Sequence, residues 1–333
     1  MRLGRVEVDG PDGPVARLVL VEPDRGGRLV DLALAERERL RRQGATDEAA
    51  RRLAAALFPP SMAAAIAAGA LFTEASALAA RAAGDFAALP LDRARWLPPL
   101  DPPRMRDCMA FEGHIRSSYA ALGAPVPPQI YELPVYYKGN PRTLIGHEAE
   151  VPWPAYSRRM DYELELGFVI GRAGRSLTPE EARGCLFGVT IFNDFSARDA
   201  QEREMGGRLG PAKGKDFATA LGPWIVTVDE LDLGSLQMTA RVNGEEWSRG
   251  SVGQIMWSVE ELVAYASSSE PLEPGELIAS GTVPGGCGLE LGRYLEPGDV
   301  VELEVGGIGI LRNRLGSPEP LRWSPPPRTP SPG

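Results

Sequence analysis

The sequence predicts a mixed, β-rich α+β protein with a smaller α/β region at its N-terminus. Three observations carry this. From about residue 104 to 315, short apolar runs alternate with Gly and Pro turns and leave room for few helices. Residues 33–84 are helical in character, with Arg and Glu on one side and Ala and Leu on the other. The Pro-rich connector Leu97-Pro98-Pro99-Leu100-Asp101-Pro102-Pro103 separates the two regimes. The expected organisation is an N-terminal region over 1–100, a main domain over 101–316 and a disordered Pro-rich tail over 317–333.

Residues 3–32 alternate apolar runs with Gly and Asp turns, which predicts a small β-meander. Pro59-Pro60 divides the helical stretch into at least two helices. Further helices are expected at 111–122, 178–185, 196–205 and 259–267. The run Met160 to Ile170 reads as one strand. Strand alternation puts Asp161, Glu163 and Glu165 on one face and Tyr162, Leu164, Leu166 and Phe168 on the other. An acidic solvent face is the plain explanation. Asp194, at the end of the apolar run Gly188–Asn193, offers another: carboxylates from neighbouring strands can converge on a hard divalent cation, which prefers oxygen ligands.

Composition bounds the function. The 333 residues are 43% hydrophobic and 24% charged, as in a soluble globular protein. A net charge of −9 argues against a general nucleic-acid surface. Cys108, Cys185 and Cys287 are widely spaced and in no ligand-type repeat, which points to reduced thiols in a cytoplasmic protein. The first residues do not read as a basic segment followed by an apolar core and a cleavage site, so secretion is not expected. The most apolar segment, Met62 to Ala83, is Ala-rich and interrupted by Glu74 and Arg81, so a packed helix is expected rather than a membrane span.

Several segments could carry chemistry. Of the two histidines, His114 opens an expected helix, and its acidic companions suit a general base. His147, in a Gly-rich turn, reads as a surface residue. In Asn193–Gln201 the spacing of Ser196 and Asp199 fits a capping box. Arg198 and Gln201 share a helical face and could both reach back to the strand end, but Arg198 could equally pair with Glu202. Gly206–Thr219 fails the phosphate-loop pattern, because Leu209 and Asp216 stand where Gly and Ser or Thr are needed. Its glycines fit a mobile loop carrying Lys213 and Lys215 to an anionic substrate. In Ala279–Leu291, adjacent backbone N–H groups could bind a carboxylate, or the loop could simply connect strands. Cys287 in that loop is expected to be a bystander, since no base lies near it in sequence.

Taken together, six segments in order resemble the fumarylacetoacetate hydrolase family over roughly residues 104–315. They are the Asp107-to-His114 spacing, Glu163-Leu164-Glu165, Asn193–Gln201, Gly214-Lys215-Asp216-Phe217-Ala218-Thr219, Ser280-Gly281-Thr282 and Gly309–Arg314. The resemblance implies a twisted β-roll, a homodimer, and Mg²⁺, with Ca²⁺ or Mn²⁺ as alternatives. It implies Asp107, Glu163, Glu165 and Asp194 as metal ligands and His114 as catalytic base. Glu290 would orient that base, with Glu112 as the lesser candidate, because Ser117 stands where shorter members carry the acid. Arg198, Gln201 and Lys215 match groups that stabilise substrate charge, and Tyr137 and Thr282 match substrate-binding positions. Met109 replaces a substrate-binding tyrosine of the fumarylacetoacetate-cleaving members.

The reaction that follows from the resemblance is metal-dependent hydrolysis of a carbon–carbon bond in a β-diketo or acylpyruvate-type acid. Decarboxylation, isomerisation or hydration of 2-oxo acids uses the same enolate chemistry, and fold alone does not choose among them. A silent binding protein of the same fold is the remote alternative. The expected partner is a small oxo acid, with no nucleic acid and no membrane.

Overall fold

The computed structural model describes residues 1–10, 12–23 and 27–328, so the end of the expected tail, 329–333, lies outside the described residues. The N-terminal meander forms as the antiparallel strands Arg2–Gly10, Gly13–Glu22 and Arg28–Asp31. Four helices follow, Leu32–Arg42, Asp47–Leu57, Met62–Ile66 and Ala70–Ala82, with the Pro59-Pro60 break between the second and third. Asp31, Thr46 and Ser61 cap the first three, each accepting from the backbone N–H three residues on. No helix among the described residues is long and apolar enough to cross a membrane.

The meander does not stand apart from the rest of the chain. Its first strand pairs with Thr219–Thr227, Leu3 opposite Ile225. The 12-stranded sheet then continues through Leu186–Asn193, Leu164–Ile170, Leu277–Ala279, Met105–Cys108 and Tyr136–Gly139. All pairings along this stretch are antiparallel except Leu277–Ala279 with Met105–Cys108. A second, five-stranded sheet contains Glu150–Trp153, Gln237–Val242, Glu245–Ser251, Val300–Val305 and Gly309–Pro318.

The two faces of the main sheet are buried against different layers. Leu164, Leu166, Phe168 and Ile170 join a core with Met238, Ala240, Val301 and Leu303 of the second sheet. Val169, Phe192, Leu221 and Leu277 join another with Leu32, Phe58, Met62 and Phe72 of the N-terminal helices. Every residue of Leu164–Ile170 is therefore buried, which explains why its apolar alternation is incomplete.

Four sequence expectations need correction. The run 160–170 is two strands: Met160–Asp161 pairs with Ser196–Ala197, and the main-sheet strand begins only at Leu164. Its carboxylates are not a solvent face, for Asp161, Glu163 and Glu165 are all buried. The Ser196–Asp199 capping box does not form, because Ser196 lies in the short strand and the helix is Arg198–Gly206. Ser196 Oγ donates to Asp194 O, and Asp199 instead accepts from Ser157 Oγ and Arg158 N. His147 is half-buried rather than on the surface, and its Nδ1 accepts from the Arg312 backbone N–H. Glu112–Ala121, Pro179–Arg183 and Val259–Ser267 form where helices are expected, the second as little more than one turn.

Strand alternation sends Arg106 to the opposite side from Asp107. There the Arg106 guanidinium, 1% exposed, donates to Glu276 at 2.6 Å and Glu270 at 2.6 Å, with Glu276 fully buried. Replacing one partner strands the other charge. Arg106→Met is expected to lower the unfolding free energy by about 3–5 kcal/mol in urea titration, and adding Glu276→Met should recover much of that loss.

Candidate active site

Six adjacent strands of the main sheet present one rim. Leu164–Ile170, Thr219–Thr227 and Tyr136–Gly139 begin there, while Leu186–Asn193, Leu277–Ala279 and Met105–Cys108 end there. Register fixes the meeting: Leu164 opposes Asn193, Ala279 opposes both Gly167 and Asp107, and Asp107 opposes Tyr137. Side chains far apart in sequence (Asp107, Tyr137, Glu163, Glu165, Asp194, Lys215 and Thr282) are brought to this rim.

Carboxylate oxygens of Asp107, Glu163 and Glu165 lie within 4.8 Å of one another. Asp194 adjoins them, with Oδ2 accepting from the Tyr137 hydroxyl at 2.7 Å and paired with Lys215 Nζ. Lys215 Nζ also donates to Glu163 and to Ser196 Oγ. Thr282 Oγ1 donates to Glu165 Oε1 at 3.0 Å. Arg198 spans Asp161 and Glu163, and also donates to Gln201 Oε1 at 3.0 Å. The surface alternative for Arg198 fails, since Glu202 takes Arg159 instead.

These contacts set the charge states. Burial and then Asp194 push Asp107 well above the usual carboxylate range, with Lys215 opposing. Burial, Asp107 and Glu163 do the same to Glu165. Burial also works against ionised Glu163, but Lys215 and Arg198 overcome it and hold that carboxyl below its ordinary value. Burial, reinforced by Asp194, raises the Tyr137 phenol, which keeps it a donor.

The donor set fits a hard divalent cation. Asp107 Oδ1 and Glu165 Oε2 are buried and have no hydrogen-bond partner, a costly state that a cation would relieve. Among the described residues, the ion pairs of the five buried carboxylates Asp107, Asp161, Glu163, Glu165 and Asp194 are with Lys215 and Arg198. Asp107, Glu163 and Glu165, with Asp194 beside them, are the residues that could hold the ion.

Next to this cluster, His114 Nδ1 lies 2.7 Å from Glu290 Oε1. Glu112 is turned away and accepts from Tyr131 and Arg116. Glu290 sits on the four-residue helix Gly288–Leu291, and its Oε2 accepts from Gly285 N–H at 2.9 Å. The N–H groups of Gly288 and Leu289 donate to Asp161 at 2.7 and 3.0 Å. The Gly-rich loop thus binds carboxylates of its own chain. Gly288 is required here, because a Cβ would collide with Arg293 O and meet Asp161 Oδ1 at 2.7 Å. Gly281, at φ +78°, lets the same loop pass against the Cys108 carbonyl. Burial raises the Cys287 thiol well above its ordinary value, so it is no ready nucleophile.

Sequence reasoning missed Asp161 as a positioning residue. It ties Arg198 and the Glu290-bearing helix to one carboxylate, and its place in the acidic alternation was the available signal. Asn193 was also missed; its Oδ1 accepts from Glu163 N–H at 3.0 Å and holds the chain where the strand breaks.

Residues 105–316 match the family model described as fumarylacetoacetate (FAA) hydrolase, C-terminal. The chain belongs to the fumarylacetoacetate hydrolase family. It is 31% identical over 231 residues to the human mitochondrial oxaloacetate tautomerase FAHD2A, covering 68% of this chain and 71% of that protein. Among solved structures, the fumarylacetoacetate hydrolase from psychrophilic Exiguobacterium antarcticum is 28% identical with a TM-score of 0.69, over 95% of this chain and 99% of that one. The 5-carboxymethyl-2-hydroxymuconate delta-isomerase of Mycobacterium smegmatis is 26% identical with a TM-score of 0.65, over the same shares. The β-rich α+β fold expected from sequence is thus that of family members.

Glu165→Gln is expected to weaken Mn²⁺ binding by at least about tenfold in calorimetric titration. For the parent protein, a cation at a hundredfold its Kd should add about 2.7 kcal/mol of stability, and a tenfold weakening should remove about 1.3 kcal/mol of it at that same concentration. An unchanged cation-induced rise in Tm would remove Glu165 from the ligand set.

Proposed function

We propose that the protein is a divalent-metal enzyme that moves a proton at the carbon beside the carbonyl of a 2-oxo acid. The reading assigns it oxaloacetate-type dicarboxylates as substrates and keto–enol tautomerisation as its reaction. One observation carries it: the His114–Glu290 pair stands beside a buried carboxylate cluster with orphaned oxygens. The human oxaloacetate tautomerase and the mycobacterial isomerase among its relatives support tautomerisation.

In this reading Asp107, Glu163, Glu165 and Asp194 would hold Mg²⁺, which when bound would supply Lewis-acid polarisation of the substrate carbonyl. Glu290 accepts the Nδ1 proton of His114, which leaves Nε2 as the basic nitrogen. His114 takes the proton from carbon and returns it to the oxygen of the same substrate, or the reverse. Lys215 and Arg198, both buried against Glu163, hold positive charge where negative charge develops on substrate oxygen. Gln201, fixed through its carbonyl by Arg198, and Thr282 and Tyr137, each anchored on a carboxylate, orient the acid.

Hydrolysis of an acylpyruvate-type carbon–carbon bond is the second reading, and the same pair favours it. A histidine held by a buried glutamate can equally take a proton from water, which then adds to the distal carbonyl, and the carbon–carbon bond breaks toward the carbon beside the 2-oxo group.

His114→Ala is expected to slow turnover by about 10²–10⁴-fold while Mn²⁺ affinity stays unchanged. The reaction itself is identified by supplying enol-oxaloacetate, acetylpyruvate and fumarylacetoacetate in ¹⁸O-water with and without Mg²⁺. Metal-dependent loss of the enol without CO₂ or new acids is the expected result. Two acids, with ¹⁸O in the new carboxylate of the one formed from the distal acyl group, would establish the hydrolase reading instead, and CO₂ release would overturn both.

A further inference from the structure

The His114–Glu290 pair has a third neighbour that the proposed reaction does not use. Cys287 Sγ lies 3.5 Å from Glu290 Oε1, the same oxygen that faces His114 Nδ1 at 2.7 Å. The three ligand-type atoms, one nitrogen, one sulfur and one oxygen, lie within 4.8 Å of one another. Their placement is built into the fold. Cys287 is bridged through its backbone to Glu163, and it immediately precedes the short helix that carries Glu290. His114 comes from a different helix, Glu112–Ala121, which packs against that short one.

A histidine nitrogen, a thiolate and a carboxylate are each donors that Zn²⁺ takes, and three protein ligands leave one position of its tetrahedron open. Tetrahedral Zn²⁺ with these ligands needs donor atoms roughly 3.3–3.6 Å apart. The Cys287–Glu290 separation already matches that spacing. The His114–Glu290 contact must open by about half an ångström, within the reach of a small imidazole rotation. The neighbouring cluster of Asp107, Glu163 and Glu165 offers oxygen alone and suits a hard ion, so donor softness separates the two positions.

We propose that His114, Cys287 and Glu290 form a second metal site, selective for Zn²⁺ and other thiophilic divalent ions over Mg²⁺, whose occupation blocks the catalytic pair. Zinc binding displaces the Cys287 thiol proton to solvent and forms a Zn–S bond. The proton shared by His114 and Glu290 shifts to His114 Nε2 as Nδ1 becomes a ligand, so no oxidant or reductant takes part. With its base and orienting acid both coordinated, the enzyme cannot move a proton. Inhibition rests on the proposed function, whereas the metal site does not.

The test is spectroscopic first. Co²⁺ is titrated into the Mg²⁺-saturated protein, and the thiolate-to-cobalt charge-transfer band in the near ultraviolet is followed. The expected result is one equivalent of Co²⁺ bound with that band, abolished by one equivalent of Zn²⁺. Cys287→Ser should lose the band and bind Zn²⁺ at least about tenfold more weakly, with Mn²⁺ affinity at the carboxylate cluster unchanged. Cys108→Ser, which removes the thiol next to Asp107, should keep the band. No band in the parent protein, or a band surviving in Cys287→Ser, would overturn the site. In turnover assays with saturating Mg²⁺, micromolar Zn²⁺ should inhibit the parent and Cys108→Ser but not Cys287→Ser. Equal inhibition of all three would overturn the blocking role while leaving the site. Absence of turnover in every protein, with the band present, would count against the proposed function and not against the site.

Discussion

Buried negative charge at one rim of the main sheet is the constraint around which the molecule is arranged. Asp107, Asp161, Glu163, Glu165 and Asp194 are all nearly inaccessible to water, and each comes from a different strand or strand break. Such a concentration is strongly unfavourable in a low-dielectric interior unless opposite charge is supplied. Lys215 and Arg198 supply part of it, from the two segments that follow the Asp194 strand. The orphaned oxygens of Asp107 and Glu165 show where that compensation stops, and so where a cation has most to offer.

Asp161 connects this electrostatic centre to the His114–Glu290 pair. One carboxylate accepts from Arg198 and from two consecutive backbone N–H groups of the Gly288–Leu291 helix. Helix N-termini favour negative charge, and here the anion is the chain's own. Glu290 is thereby set at a fixed distance from the carboxylate cluster, and His114 is oriented by Glu290. The break in the chain at Tyr162 and Glu163 makes this possible. It lets Asp161 turn toward the loop while Glu163 and Glu165 stay at the rim.

The surrounding layers keep these groups dry. The second sheet closes one face of the main sheet and the N-terminal helices close the other. Because the meander hydrogen-bonds directly to Thr219–Thr227, the first hundred residues contribute to the same core as the strand that follows Lys215. Exclusion of water strengthens every charge–charge interaction at the rim, attractive and repulsive alike.

The sequence by itself determined the local features: the meander, the helical stretch with its Pro break, and the helices beginning near Glu112 and Val259. It also determined which side chains could do chemistry, because carboxylates, a histidine and a lysine recur in an ordered set of short segments. Tertiary structure decided the rest. Alternation placed Asp161 with Glu163 and Glu165, but the pairing of Met160–Asp161 with Ser196–Ala197 broke that strand and gave Asp161 a different task. Spacing offered Ser196 and Asp199 as a cap, and long-range partners, Lys215 for one and Ser157 for the other, outcompeted it. The separation of His114 from Glu290 is 176 residues, and no local rule joins them. Hydrogen-bond partners across such distances are chosen by sheet register and layer packing, which periodicity along the chain does not encode.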